Sequence, residues 1–287
     1  MNWPRARVIL LVSFMALDIF LGYVAFGPKQ AHGEVTSAEI QRAITRAATA
    51  GVIIQAPVPA QVTAVSFLSL EPWTADRLAT AQKLLGTDRL TVVQESRELT
   101  VWGYGGSLVT SLANGVVLYL PAEKQGAARA TDTRSARTLV EDFLRPLNLL
   151  PNDARLDWVR QTGAESFMVQ FRQDYQGVPL FGAYITANID KGQISRIRLV
   201  WFSPKGLSGK KRALVPATDA LITAVSAGES TIERGSAIET IALGYLSEPL
   251  DARQWDAYPV WRFGFSNGAF VYVNGYSGVI ERFGEVK

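Results

Sequence analysis

Few residues in this chain could do chemistry. Among 287 residues there is one histidine and no cysteine, so thiol nucleophiles and thiolate metal ligands are excluded and imidazole acid–base catalysis would fall on one side chain. That side chain, His32, stands beside a glycine in the polar stretch 27–33, where a solvated residue is the ordinary reading. Ser208 and Lys211 satisfy Ser-x-x-Lys spacing. They lie in KGLSGKKR (205–212), which reads as a flexible basic linker, where nothing would desolvate the lysine and depress its pKa. Glu141 and Asp142 fall on the polar face of an amphipathic helix. The chain has no His-Glu-x-x-His, no Gly-x-Ser-x-Gly, no phosphate-binding loop and no carboxylate cluster at metal-ligand spacing. The expectation is therefore no catalytic residue, no metal and no cofactor. An enzyme using carboxylates assembled from distant positions stays open; it would show a deep pocket holding paired acids with perturbed pKa values.

The remaining chemically unusual residue is Asp18. Residues 8–26 are apolar except for Ser13, Asp18 and Gly22, and at about 1.5 Å per residue they span roughly the 30 Å of a bilayer core. Arg5 and Arg7 precede the run and only Lys29 follows closely, which keeps residues 1–7 cytoplasmic and puts the rest outside. A cleaved signal peptide cut near Ala25 or Ala31 is the rival reading. The length of the run and the interfacial positions of Trp3 and Tyr23 favour a retained single-pass anchor. An acid in mid-membrane costs about 2.5–3.5 kcal/mol on insertion scales and invites a partner. Leu11, Met15, Asp18, Gly22 and Ala25, spaced four, three, four and three residues apart, form one stripe combining that acid with small side chains that let another helix approach.

With 48% apolar and 10% aromatic residues the outer part can fill one large core or two ordinary ones without disulfides. A net charge of +3 without a long basic run argues against nucleic acid. The patterning predicts an α+β ectodomain of antiparallel sheets with packed helices. Residues 38–50 read as a helix capped by Ser37 and stopped by Gly51, with Ile40, Ala43, Ile44 and Ala47 on one face. Residues 52–70 read as an edge strand or extended connector because of Pro57 and Pro59. A helix over 75–85, capped by Thr74 and stopped by Gly86, leads into strands at 89–95, 97–103, 106–112 and 115–120. Gly103, Gly105, Gly106 and Asn114-Gly115 supply their turns. The polar stretch 122–133 separates an N-terminal domain, 34–121, from a C-terminal one, 130–287. In the latter, helices at 134–147 (capped by Thr133) and 216–227 each lead into four strands, giving two units, about 133–202 and 216–287. Trp158, Trp201, Trp255 and Trp261 fall on strands or their edges and read mostly as core, some possible as a docking surface.

Residues 182–197 (GAYITANIDKGQISRI) match 268–283 (GAFVYVNGYSGVIERF) without a gap at an offset of 86. Gly182/Gly268, Asn188/Asn274 and Gly192/Gly278 are among the identities. The pattern is a hairpin: a strand running into Asn, a turn ending on a glycine free to take positive φ, then a strand opening on Ile.

Two resemblances follow from these stretches. Asn2-Trp3, the basic residues at 5 and 7 and the run ILLVSFMALDIFLGY resemble the opening of the YycI family. That family comprises single-pass membrane proteins that work with the related YycH on the sensor histidine kinase YycG, also called WalK, which governs cell-wall metabolism. The resemblance implies a non-catalytic regulator at the cell membrane, its transmembrane stripe meeting the kinase and a YycH-like partner. The repeated hairpin, above all YPVWRFGFSNGAFVYVNGYSGVIE (258–281), looks like the ending of PepSY-type modules, which implies tandem PepSY-like or YycH-like units that bind or inhibit. An extracytoplasmic inhibitor of a wall-associated protease or hydrolase is the second reading.

Overall fold

The computed structural model describes residues 13–18, 34–73, 76–122, 129–227 and 235–284. After a helical stretch at 13–18, the first element is α1 (Ser37–Thr49). Its N-cap is Thr36, one residue before the expected Ser37: the Thr36 hydroxyl accepts from the Glu39 amide, and the Thr36 amide donates to the Glu39 carboxylate at 2.8 Å. This reciprocal box satisfies two amides that a helix start leaves unpaired. Strands β1 (Ile53–Ile54) and β2 (Ala64–Pro72) follow. Pro57 and Pro59 fall between them in an extended connector, one of the two expected readings, so β2 is free of internal proline and occupies an interior place in the sheet rather than an edge.

Three units then repeat one plan, a helix leading into a four-stranded antiparallel meander. The first is α2 (Arg77–Leu85) with β3 (Thr91–Glu95), β4 (Leu99–Tyr104), β5 (Ser107–Leu112) and β6 (Val117–Leu120). The second is α3 (Thr133–Leu144) with β7 (Ala154–Gly163), β8 (Ser166–Tyr175), β9 (Val178–Asp190) and β10 (Gln193–Val200). After β11 (Phe202–Ala213) comes the third, α4 (Ala217–Ala227) with β12 (Ala237–Leu246), β13 (Trp255–Phe265), β14 (Phe270–Asn274) and β15 (Ile280–Gly284). The caps differ in detail from the sequence reading. Asp76 caps α2 through its carboxylate to Leu78 N and Ala79 N, and Asp132, not Thr133, caps α3 with Ser135 closing the box. A carboxylate also gains from the helix dipole, which a threonine hydroxyl does not. Thr74 lies outside the described residues.

Each helix covers the face of its own meander. In the second unit Phe167, Val169 and Phe171 of β8 and Ile185, Ala187 and Ile189 of β9 are buried with Ala136, Val140 and Leu144 of α3. This is the period-2 face of a strand meeting the 3.6-period stripe of a helix, and each large side chain so removed from water contributes about 1.5–3 kcal/mol. The meanders join into one hydrogen-bonded sheet: β6 pairs antiparallel with β10, and β12 pairs parallel with β9 through Tyr245 and Leu180.

The segment before α2 hydrogen-bonds to the far end of the chain. β1 runs parallel to β12, β2 lies between β11 and β13, and Ala43 and Ala47 of α1 share a buried cluster with Ala217, Ala220, Leu221 and Ala224 of α4. Residues 34–72, grouped by sequence with 77–121, therefore pair with β11 and the third unit. KGLSGKKR is not a flexible linker but part of β11: Gly206, Leu207 and Ser208 pair with Ser69, Leu68 and Phe67. Its lysines mark a sheet edge that faces water, where charge discourages further pairing. Gly103 sits within β4, whereas Gly105, Gly106 and Gly115 take positive φ in turns.

Candidate functional site

Of the proposed intramembrane stripe, Met15 and Asp18 lie in the helical stretch 13–18 and are exposed; Leu11, Gly22 and Ala25 lie outside the described residues. Among the described residues no helix is long and apolar enough to cross a membrane, and the span read at 8–26 falls mostly outside them.

The two matched hairpins are both present and differ in geometry. In the first, β9 and β10 turn through Lys191 and Gly192, with φ of 50° and 73°, and Ile189 faces Ile194. In the second, Asn274 opens a longer turn: its Oδ1 accepts from Tyr276 N and Ser277 N, and Gly278 N donates back to Asn274 O at 2.9 Å. Gly278, with φ 72°, shares the conformation of Gly192. The other aligned pairs do not correspond in role. Asn188 is a strand residue opposite Arg196, and Asn274 is the turn's anchor, its Nδ2 donating to Glu281. Gly182 lies inside β9, where a Cβ would overlap the Ser247 carbonyl oxygen; Gly268 has φ 85° in the β13–β14 turn, under the Arg160 guanidinium.

The second and third units meet at a buried charge cluster. Asp157 on β7 is 1% exposed at its side chain and receives both terminal nitrogens of Arg262 on β13 at 2.8 Å, a bidentate pair. Arg172 adds a third donor at 3.1 Å and Gln170 Nε2 a fourth at 3.1 Å. Burial pushes the Asp157 carboxyl up, but the two guanidinium groups outweigh it and hold it below its ordinary range. Arg262 is itself gripped between the rings of Phe181 and Phe270, 4.4 and 4.8 Å from their centroids. Burial alone would lower its pKa; Asp157 raises it and keeps the cation.

The pairing spans 105 residues, and sequence reading missed it. The available signal was a charge inside the apolar run YPVWRFGF, a residue that folds into a core only with a partner. Arg172 is also held by Asp174 at 2.9 Å, so two cations meet two anions and the Asp157 carboxylate is fully engaged; what the cluster can do is lock two meanders in one arrangement.

Other chemically suggestive groups are also engaged. Ser208 Oγ donates to Asp256 at 2.8 Å on the surface of β11, and Glu141 bridges Arg137 and Arg145 along α3. Trp201 and Trp261 are buried, the latter donating to Val215 O; Trp255 donates to Ser247 Oγ at 2.7 Å, and Trp158 is half-buried. Among the described residues no group of three His, Cys, Asp or Glu side chains could hold a metal. A cavity of about 310 Å³ between β2, α2 and the β5–β6 hairpin is lined by Trp73, Arg77, Thr80 and Ser111, with no acid in its wall.

Two solved structures are similar to this chain. One is an uncharacterized protein from Eubacterium rectale ATCC 33656, 10% identical, covering 81% of this chain and 91% of its own, with a TM-score of 0.49. The other is YycH from Bacillus subtilis, 12% identical, covering 74% of this chain and 56% of its own, with a TM-score of 0.45. No curated protein matches the sequence. The YycI protein family model matches residues 122–276, which take in the second unit, β11 and the third unit as far as the anchoring turn of the last hairpin. Spanning more than half of the chain, that match places the protein in the YycI family.

Proposed function

We propose that this chain is a non-catalytic, membrane-anchored regulator that acts with a YycH-like partner on a YycG/WalK-type sensor histidine kinase. Family membership across residues 122–276 is the observation that carries the reading. In this proposal residues 8–26 cross the membrane with the N-terminus cytoplasmic, and the stripe Leu11, Met15, Asp18, Gly22 and Ala25 packs against helices of the kinase and partner. The three meander units stand outside the membrane and dock there. A chain that binds two kinase states unequally shifts their equilibrium by its difference in affinity.

The test is co-purification of the full-length chain with kinase and partner from membranes, comparing wild type with Asp18→Leu and Gly22→Leu. Loss of recovery in both variants supports the intramembrane contact. Undiminished recovery in both removes it, and failure of the wild type to recover either protein removes the whole reading.

A further inference from the structure

The β5–β6 hairpin and α2 enclose a polar group that packing does not explain. Side chains of a strand alternate between its two faces, so Ser111 points to the same side of β5 as Val109, which is buried in one core with Ala81 and Leu84 of α2. Ser111 is 1% exposed, and its Oγ has no hydrogen-bond partner among the described residues. A hydroxyl taken out of water without a partner weakens a fold, and native proteins keep few of them. Alanine would occupy that place without the loss.

Ser111 lines the cavity of about 310 Å³ between β2, α2 and the hairpin. That volume stands at the lower end of the roughly 300–1,000 Å³ of small-molecule sites. Arg77 and Thr80, three residues apart, share one face of α2 and line the same cavity. Arg77 Nη2 donates to Ala113 O at 3.1 Å, which ties the guanidinium to the hairpin turn at the rim. One such bond leaves most of its donors for another acceptor, and Arg77 is in no ion pair among the described residues. Val117, directly across the ladder from Ser111, and Trp73, half-buried against the same core, supply apolar and aromatic surface. No aspartate or glutamate lines the cavity, so its one charge is positive.

We propose that this cavity binds a small organic carboxylate, its anion on Arg77, a hydrogen bond to Ser111 Oγ, and an apolar body against Trp73 and Val117. At about 30 Å³ per non-hydrogen atom, the share a water molecule takes, the site holds a ligand of about ten such atoms. The inference goes beyond the kinase reading and does not rest on it.

Phenylacetate is the probe and phenylacetamide its uncharged counterpart, each titrated by saturation-transfer NMR into the full-length chain in detergent micelles, with chain-free micelles as the blank. Phenylacetate is expected to saturate with a Kd of about 1 mM, and phenylacetamide to bind about tenfold more weakly. Arg77→Met should abolish that preference and leave phenylacetamide binding unchanged. Ser111→Ala should weaken both probes roughly threefold or more, while its melting temperature stays at or above that of wild type. A serine serving the fold alone would give the opposite sign. Both variants keep the fold testable, since Arg77 is exposed and Ser111→Ala removes a single atom. No saturation by phenylacetate, equal affinity of wild type for the two probes, a preference that survives Arg77→Met, or a lowered melting temperature in Ser111→Ala would each overturn the proposal.

Discussion

The hairpins at 182–197 and 268–283 share six identical residues at a constant spacing, yet of the glycine and asparagine pairs among them only Gly192/Gly278 carries the same job in both. Gly192 and Gly278 have the same left-handed backbone, 73° and 72°, because each must reverse a strand just before an isoleucine restarts it. The others diverge since the first turn is two residues long and the second runs from Asn274 to Gly278, moving the aligned asparagines and leading glycines into unlike surroundings. Gly182 is there for lack of a side chain, at the point where β9 crosses to the neighbouring unit; Gly268 is there for its φ. Matched letters thus mark a shared hairpin plan, while contacts between units decide what each letter does.

Substitution can break this contrast in graded steps. The largest effect expected is from Gly182→Ala, since the new methyl would meet backbone rather than a movable side chain. It should cost more than about 3 kcal/mol in urea unfolding, or prevent folding. Gly268→Ala should cost less, about 1–2 kcal/mol, because the Arg160 guanidinium can swing aside and mainly the backbone strain remains. Equal losses at 182 and 268 would refute the difference in role.

Arg262→Met tests where the two hairpins meet, since Phe181 precedes Gly182 and Phe270 follows Gly268 by two residues. Leaving buried Asp157 with only Arg172 and the neutral Gln170 amide should cost about 3 kcal/mol at neutral pH. The pH profile supplies a second reading. A carboxyl held below its unfolded value stabilises the fold above about pH 4, and that contribution disappears as pH falls through the lower, folded value. The variant should therefore unfold in acid with a shallower pH dependence than wild type. The smallest effects separate the asparagines. Asn274→Ala loses two turn-closing acceptor bonds and the donation to Glu281, about 1 kcal/mol, whereas Asn188→Ala should stay within about 0.5 kcal/mol. Thermal melts of the pair resolve them.

Local features were well legible in the sequence. Helix positions followed from polar caps, glycine stops and a proline to within three residues, and the strand series after each helix followed from alternation and turn glycines. What was not legible is long-range. KGLSGKKR read as a linker because glycine and lysine are poor strand formers, and only its pairing with β2 makes it a strand. The Asp157–Arg262 pair joins elements that no periodicity relates. The pairing of β1 and β2 with the third unit is likewise a matter of which neighbour arrives, and a single sequence shows the pattern of a strand but not its partner.

One of those late neighbours sets an order of events. Synthesis delivers Ala43, Ala47 and Ile53 to the ribosome exit well before Ala217–Ala227 and Ala237–Leu246, the elements that clasp them. The stem directly following the apolar run must therefore wait, undocked, through the making of two complete meanders. Its final seating registers that translation has passed the third, so a product truncated there would emerge with its stem still unmoored.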